Sequence, residues 1–175
     1  PTPLTLTGSL TINNGATAGI TLGGTWNVGG NFDLTGLTSF SSTGLLNMTG
    51  ASKTLTCGGF TFNDLTFSGS GTTVLADTIL VAGNVILNST VTSGSLTMSG
   101  ATKTLTGGTA TLTNLTINGT VTAQTSSLTV AGVLNVGNST NALTINTVSV
   151  TLSSAATLNL NTTGKHNIAV GYNLR

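Results

Sequence analysis

The segment Gly44–Gly69, GLLNMTGASKTLTCGGFTFNDLTFSG, lies without a gap over Gly94–Gly119, GSLTMSGATKTLTGGTATLTNLTING, at a constant shift of 50 residues. Met48 falls on Met98, Gly50 on Gly100, Lys53 on Lys103, Leu55 on Leu105, Gly58 on Gly108, Leu65 on Leu115 and Gly69 on Gly119. So many unlike residue types in one register mark an internal repeat and not merely a shared composition. The match resumes after a one-residue slip, with Val81-Ala82-Gly83 over Val130-Ala131-Gly132, which puts the slip in a turn between Ser70 and Ile79. An earlier partial copy shows in Val28-Gly29-Gly30-Asn31-Phe32-Asp33-Leu34. The copies read as 1–43 (partial), 44–93, 94–143 and 144–175 (partial) of one continuous unit spanning 1–175.

Within the copies, apolar residues alternate with Thr, Ser or Asn in short bursts: Leu96 and Met98, Leu115 and Ile117, Leu128 and Val130, Val148, Val150 and Leu152, Leu158 and Leu160. Period two indicates half-buried strands. The bursts are separated by Gly, Asn and Ser, and strong helix formers are scarce. A β-sandwich and a β-solenoid both use many short strands, but only the solenoid gives successive segments like surroundings and so favours sequence repetition. The expectation is an all-β chain, a parallel β-helix in which 50 residues span two to three coils. That predicts about seven to ten coils and a rod of about 35–50 Å at about 4.8 Å per coil. Leu, Ile, Val, Met and Phe should point inward, Thr outward, with Asn and Gly at the corners.

Charge is scarce. Only 4% of residues are charged, with four Lys and Arg against three acids and a net charge of +1. No basic stripe faces a phosphate backbone, which argues against a nucleic-acid partner. No apolar run is long enough for a membrane-spanning helix. A parallel β-helix accounts for the scarcity, because a charge repeated on successive coils would meet its own kind one strand spacing away. Weak repulsion between copies also favours self-association.

Phrases such as Leu115-Thr116-Ile117-Asn118-Gly119 resemble the repeats of large bacterial and archaeal surface proteins with β-helical passenger or stalk regions, the haemagglutinin- and autotransporter-like adhesins. The resemblance implies an extracellular or cell-surface location, a structural or adhesive role, and glycans or a host surface as further partners.

Enzyme chemistry is not expected, and neither is a cofactor or a metal. Acid–base glycoside cleavage wants two carboxylates on one face, whereas Asp33, Asp64 and Asp77 lie far apart in sequence. Each reads as a turn or cap residue. His166 stands in Lys165-His166-Asn167 without neighbouring ligands, and Cys57, the one cysteine, reads as a small apolar filler. The pairs Thr5/Thr7, Thr54/Thr56, Thr104/Thr106 and Thr111/Thr113 would present outward hydroxyls, as ice-binding solenoids do, which makes a glycan- or ice-binding module the alternative function. These phrases do not recur at every coil-length interval. Asn47, Asn88, Asn114, Asn118, Asn138 and Asn161 open N-x-Ser/Thr acceptor patterns, about the number that eighteen Asn in so Ser/Thr-rich a chain would produce by composition.

The ends of a solenoid are open sheet edges. Leu4, Leu6, Leu10 and Ile12 at one end, and Ile168, Val170, Tyr172 and Leu174 at the other, continue the strand pattern. Head-to-tail stacking of copies through these residues, or continuation into more solenoid, is the expected mode of action.

Overall fold

The computed structural model describes residues 2–12, 19–137, 142–145 and 149–160. These residues form a parallel β-solenoid of about seven turns, with no helix among them. Three strand-built walls surround one core. The first wall stacks Leu4–Leu6, Thr25–Val28, Leu45–Met48, Asp64–Phe67, Val85–Leu87, the leading parts of Lys103–Leu112 and Thr120–Val130, and Ala142–Ile145. The second stacks Leu10–Thr11, Phe32–Asp33, Lys53–Thr56, Thr72–Leu75, Thr90–Thr92, the trailing parts of the same two long strands, and Ser149–Leu152. The third stacks Ile20–Leu22 on Phe40–Ser42, and then Thr61–Phe62, Thr78–Val81, Ser95–Met98, Asn114–Ile117, Val133–Val136 and Thr157–Leu160.

One column of the first wall reads Leu4, Trp26, Leu46, Leu65, Val85, Leu105, Ala123, Ile145. Its steps of 22, 20, 19, 20, 20, 18 and 22 residues, by subtraction, give a coil of about twenty residues. Seven turns at about 4.8 Å make a rod of roughly 34 Å, at the short end of the expected range. Side chains alternate as period two requires: Leu46, Leu65, Val85 and Leu105 are wholly buried, and so are Val28 and Met48 two residues on from their rungs. Edge contacts of Phe62 with Phe32 and with Phe40 fill the core near the start of the rod.

The 50-residue repeat does not return to the same wall. Leu45–Met48 belongs to the first wall and its counterpart Ser95–Met98 to the third; Lys53–Thr56 belongs to the second and its counterpart opens the first-wall part of Lys103–Leu112. Each copy advances eight strand positions, which is two and two-thirds turns, so every repeat position is carried one wall back. The slip between copies sits at a corner: Ala76-Asp77 turns between two strands, whereas its counterpart is Ser126 inside the unbroken strand Thr120–Val130.

Corners follow the same rule. Gly50-Ala51-Ser52-Lys53 and Gly100-Ala101-Thr102-Lys103 turn different corners in the same way, with Ser52 at φ 52° and Thr102 at φ 53°. In both, the lysine stem lies over the glycine, and a Cβ on Gly50 would run into the carbonyl of Gly29, just as one on Gly69 would strike that of Gly50. This column admits no side chain. Gly50→Val is expected to lower the urea midpoint by the equivalent of about 1–3 kcal/mol through overpacking. Thr102→Gly, by contrast, should raise it by about 1 kcal/mol, because a β-branched residue is relieved of a left-handed conformation. Shifts of the two midpoints in one direction would contradict this account of the corners.

Candidate functional site

The residues expected at the leading end lie together. Leu4 and Leu6 are on the first rung of the first wall, Leu10 opens that of the second, and Ile12 follows it. Leu4 is 41% exposed, and Leu6, Leu10 and Ile12 are only partly covered although they pack on the core. The strands Leu4–Leu6, Leu10–Thr11 and Ile20–Leu22 each pair on one side only among the described residues. Ile168, Val170, Tyr172 and Leu174 lie outside the described residues, as does His166.

The three carboxylates occupy separate places in the coil, and each has a structural task. Asp33 accepts hydrogen bonds from the Thr35 amide at 2.9 Å and the Thr35 hydroxyl at 2.8 Å. Asp64 opens a first-wall strand and accepts from the amide of Asn84 in the next coil at 2.7 Å, and from Asn63 Nδ2 at 2.9 Å. Asp77 reaches back one coil to accept the successive amides of Cys57 and Gly58 at 3.1 and 2.8 Å. Asn31, Asn84 and Asn114 do the same work forward, accepting the amides of Thr54, Thr104 and Val133. These bonds pair backbone groups where the chain leaves the strand ladder and has no strand partner for them.

Among the acceptor patterns, Asn47 is tied to Asn27 and Ser68, and Asn114 to Ser95 and Val133. Asn88 and Asn118 stand exposed in turns. Asn138 and Asn161 lie outside the described residues.

The four Thr-x-Thr phrases are scattered: Thr5 and Thr104/Thr106 are on the first wall, Thr54/Thr56 and Thr111 on the second, and Thr113 in a corner. A different set lines up. The inward column Thr73, Val91, Ala110, Leu128, Val150 is buried along the second wall. The residues flanking it therefore face out. They form one column of Thr72, Thr90, Thr109 and Ser127, and another of Thr92, Thr111, Thr129 and Thr151. Along the second, the steps are 19, 18 and 22 residues by subtraction. No fifty-residue period could reveal these hydroxyl columns; the coil length was the missing signal.

Two buried oxygens, Thr125 Oγ1 and Asn135 Oδ1, have no hydrogen-bond partner among the described residues, and the Cys57 thiol is buried as well. The Thr125 hydroxyl, on a residue only 2% exposed, meets no hydrogen-bond partner among the described residues. Thr125→Val should therefore stabilise the chain by about 1 kcal/mol, the cost of an unmade buried hydrogen bond; a lower urea midpoint in this variant would count against it. Cys57 is fully buried, with Sγ 3.0 Å from the Thr78 carbonyl oxygen.

Burial, chiefly, with Asp77 beside it, pushes the Cys57 thiol above its ordinary value. The folded state thus favours the neutral thiol: this contribution is complete below the ordinary thiol pKa and is lost as pH rises through the raised one. Alkylation of native chain at pH 8 is expected to be much slower than that of urea-unfolded chain, and equal rates would show an accessible thiol. Comparison with known proteins finds no matching family model, no similar curated protein and no similar solved structure.

Proposed function

We propose that the chain is a structural solenoid, a segment of an extracellular filament or adhesin stalk that is lengthened by stacking coil on coil. The observation that carries this reading is the leading edge: apolar core columns run out to Leu4, Leu6, Leu10 and Ile12, which are incompletely covered, beneath strands with one free side among the described residues. A further coil, whether from a second copy or from more of the same chain, would complete both the ladder and the core columns. Main-chain hydrogen bonds and burial of aliphatic side chains supply the adhesion. With 4% charged residues, little electrostatic repulsion opposes it. The extracellular location is carried by the resemblance to surface-protein repeats and by the Thr-, Ser- and Asn-rich, charge-poor composition.

A head-to-tail contact that does not close on itself generates an open filament. Electron microscopy of the purified chain across a concentration series is expected to show filaments of uniform width, with the strand spacing of about 4.8 Å along their length. The double variant Leu4→Lys, Leu10→Lys places charge on the edge and should yield short rods at concentrations where the parent chain forms filaments. Rods of single-copy length for the parent at every concentration would remove self-assembly from the proposal.

A further inference from the structure

Beyond its role as a rod, we propose that the second wall carries an ice-binding face, formed by the columns Thr72, Thr90, Thr109, Ser127 and Thr92, Thr111, Thr129, Thr151. Continuous register relates the rungs, with Thr92 beside Thr111, Thr111 beside Thr129, and Thr129 beside Thr151. The two columns are two residues apart along each strand, about 6.7 Å, and successive rungs are about 4.8 Å apart along the rod. The hydroxyls, and at every position but Ser127 the γ-methyls, thus repeat on a rectangular grid, whose two spacings are near those of the oxygen rows on the prism face of hexagonal ice. A solid with a fixed lattice is the ligand that such a grid fits better than a flexible one.

The residue type matters as much as the spacing. Threonine is β-branched and restricted at χ1, so a column of threonines on equivalent backbone presents one orientation with little entropy left to lose. Each offers a methyl beside a hydroxyl, which holds first-layer water by hydrogen bonding while excluding it from disordered hydration. Among the described residues, none of these hydroxyls is engaged with the protein itself. No charged residue interrupts the columns: Asp33 and Lys53, the charges of this wall, lie on its second and third rungs, before the array begins.

Other occupants fit less well. Saccharide sites commonly stack sugar rings on aromatic side chains, and the two columns contain none, while Phe32 and Phe62 on the earlier coils are wholly buried. A protein partner would want an apolar anchor, and the one exposed large apolar residue in the columns is Val74, at their leading edge.

The test is incorporation of the fluorescently labelled full chain into a slowly growing ice hemisphere, with ice-crystal shaping followed in parallel. The parent chain is expected to enter the ice and to facet crystals. The variant Thr111→Lys, Thr151→Lys, with its two lysines two rungs apart, should lose both effects, while Thr116→Lys on the third wall keeps them. Urea denaturation of all three chains checks that the substitutions leave the fold intact. Exclusion of the parent chain from ice, or equal incorporation of the second-wall variant, overturns the proposal. So does a second-wall variant that loses binding to a glycan array when the parent chain binds the array but not ice.

Discussion

The main-chain N–H and C=O groups of each coil must be handed to the coils on either side, and every other feature of the molecule follows from that axial hydrogen bonding. A parallel in-register ladder places residue over residue, so a side chain's neighbour is fixed by coil length as firmly as by sequence. Like then stacks on like: Leu46 on Leu65, Asn27 under Asn47 with an amide hydrogen bond of 2.9 Å, Thr111 beside Thr129. A favourable residue is reinforced in each coil and an unfavourable one is penalised in each. Two like charges 4.8 Å apart would repel by about 1 kcal/mol in water and about 3 kcal/mol at an effective dielectric of 20. The near-absence of charge is therefore a condition of the ladder. Lys53 and Lys103, the lysines among the described residues, stand at corners, with their stems laid over Gly50 and Gly100 and their rungs on different walls.

The repeat obeys a subtler rule than the ladder. Eight strands per copy and three strands per turn have no common factor, so a copy cannot face the wall its predecessor faced. A repeat position must therefore satisfy each wall in turn, and its chemistry has to be generic: inward aliphatic, outward hydroxyl, glycine at the close approach. Copies can still differ where the corner itself differs. Cys57-Gly58 turns from the second wall to the third, with Asp77 capping its amides, whereas its counterpart Gly107-Gly108 runs through as strand from the first wall to the second, with Gly107 at φ 104°.

The strands, their parallel stacking and the inward set were legible because period two and the match of Gly44–Gly69 with Gly94–Gly119 record them directly. Coil length was not, because the visible repeat is a non-integral multiple of it: at fifty residues Met48 finds Met98 in another wall, while its ladder neighbour Phe67 is chemically dissimilar. The same obscurity hid the aligned hydroxyls. Thr-x-Thr phrases conspicuous in sequence are split by the winding, Thr104 stacking on Thr122 but Thr106 on Gln124, and Ser127/Thr129 gains its place only through Thr109/Thr111 beside it. Asp77 was legible as a turn residue, but its partners Cys57 and Gly58 are twenty and nineteen residues away and follow only from the coil.

A rod and a face are compatible demands because they use opposite sides of the same strands. Along the second wall, Val91, Ala110, Leu128 and Val150 are buried, and the residues between and beside them are free to be chosen for what lies outside. Generic repeat chemistry would carry any outward pattern from wall to wall, and the first wall does hold one shorter column, Thr104, Thr122 and Thr144, but two hydroxyl columns side by side over four rungs belong to the second wall. Thr92 has Ala142 fifty positions on, and Thr111 has Thr61 fifty positions back, on the third wall. The array is assembled from positions that the repeat makes non-equivalent, whereas the core beneath it is assembled from positions that the repeat makes alike. Threonine is common enough here to populate outward strand positions by composition alone, but composition acts equally on all three walls. The third wall, in the same span, places Leu80, Thr97, Thr116, Asn135 and Asn159 in one outward column. On the first wall the column Thr104, Thr122, Thr144 is flanked by Thr106 and Gln124, so among the described residues neither other wall sets two hydroxyl columns side by side as the second does.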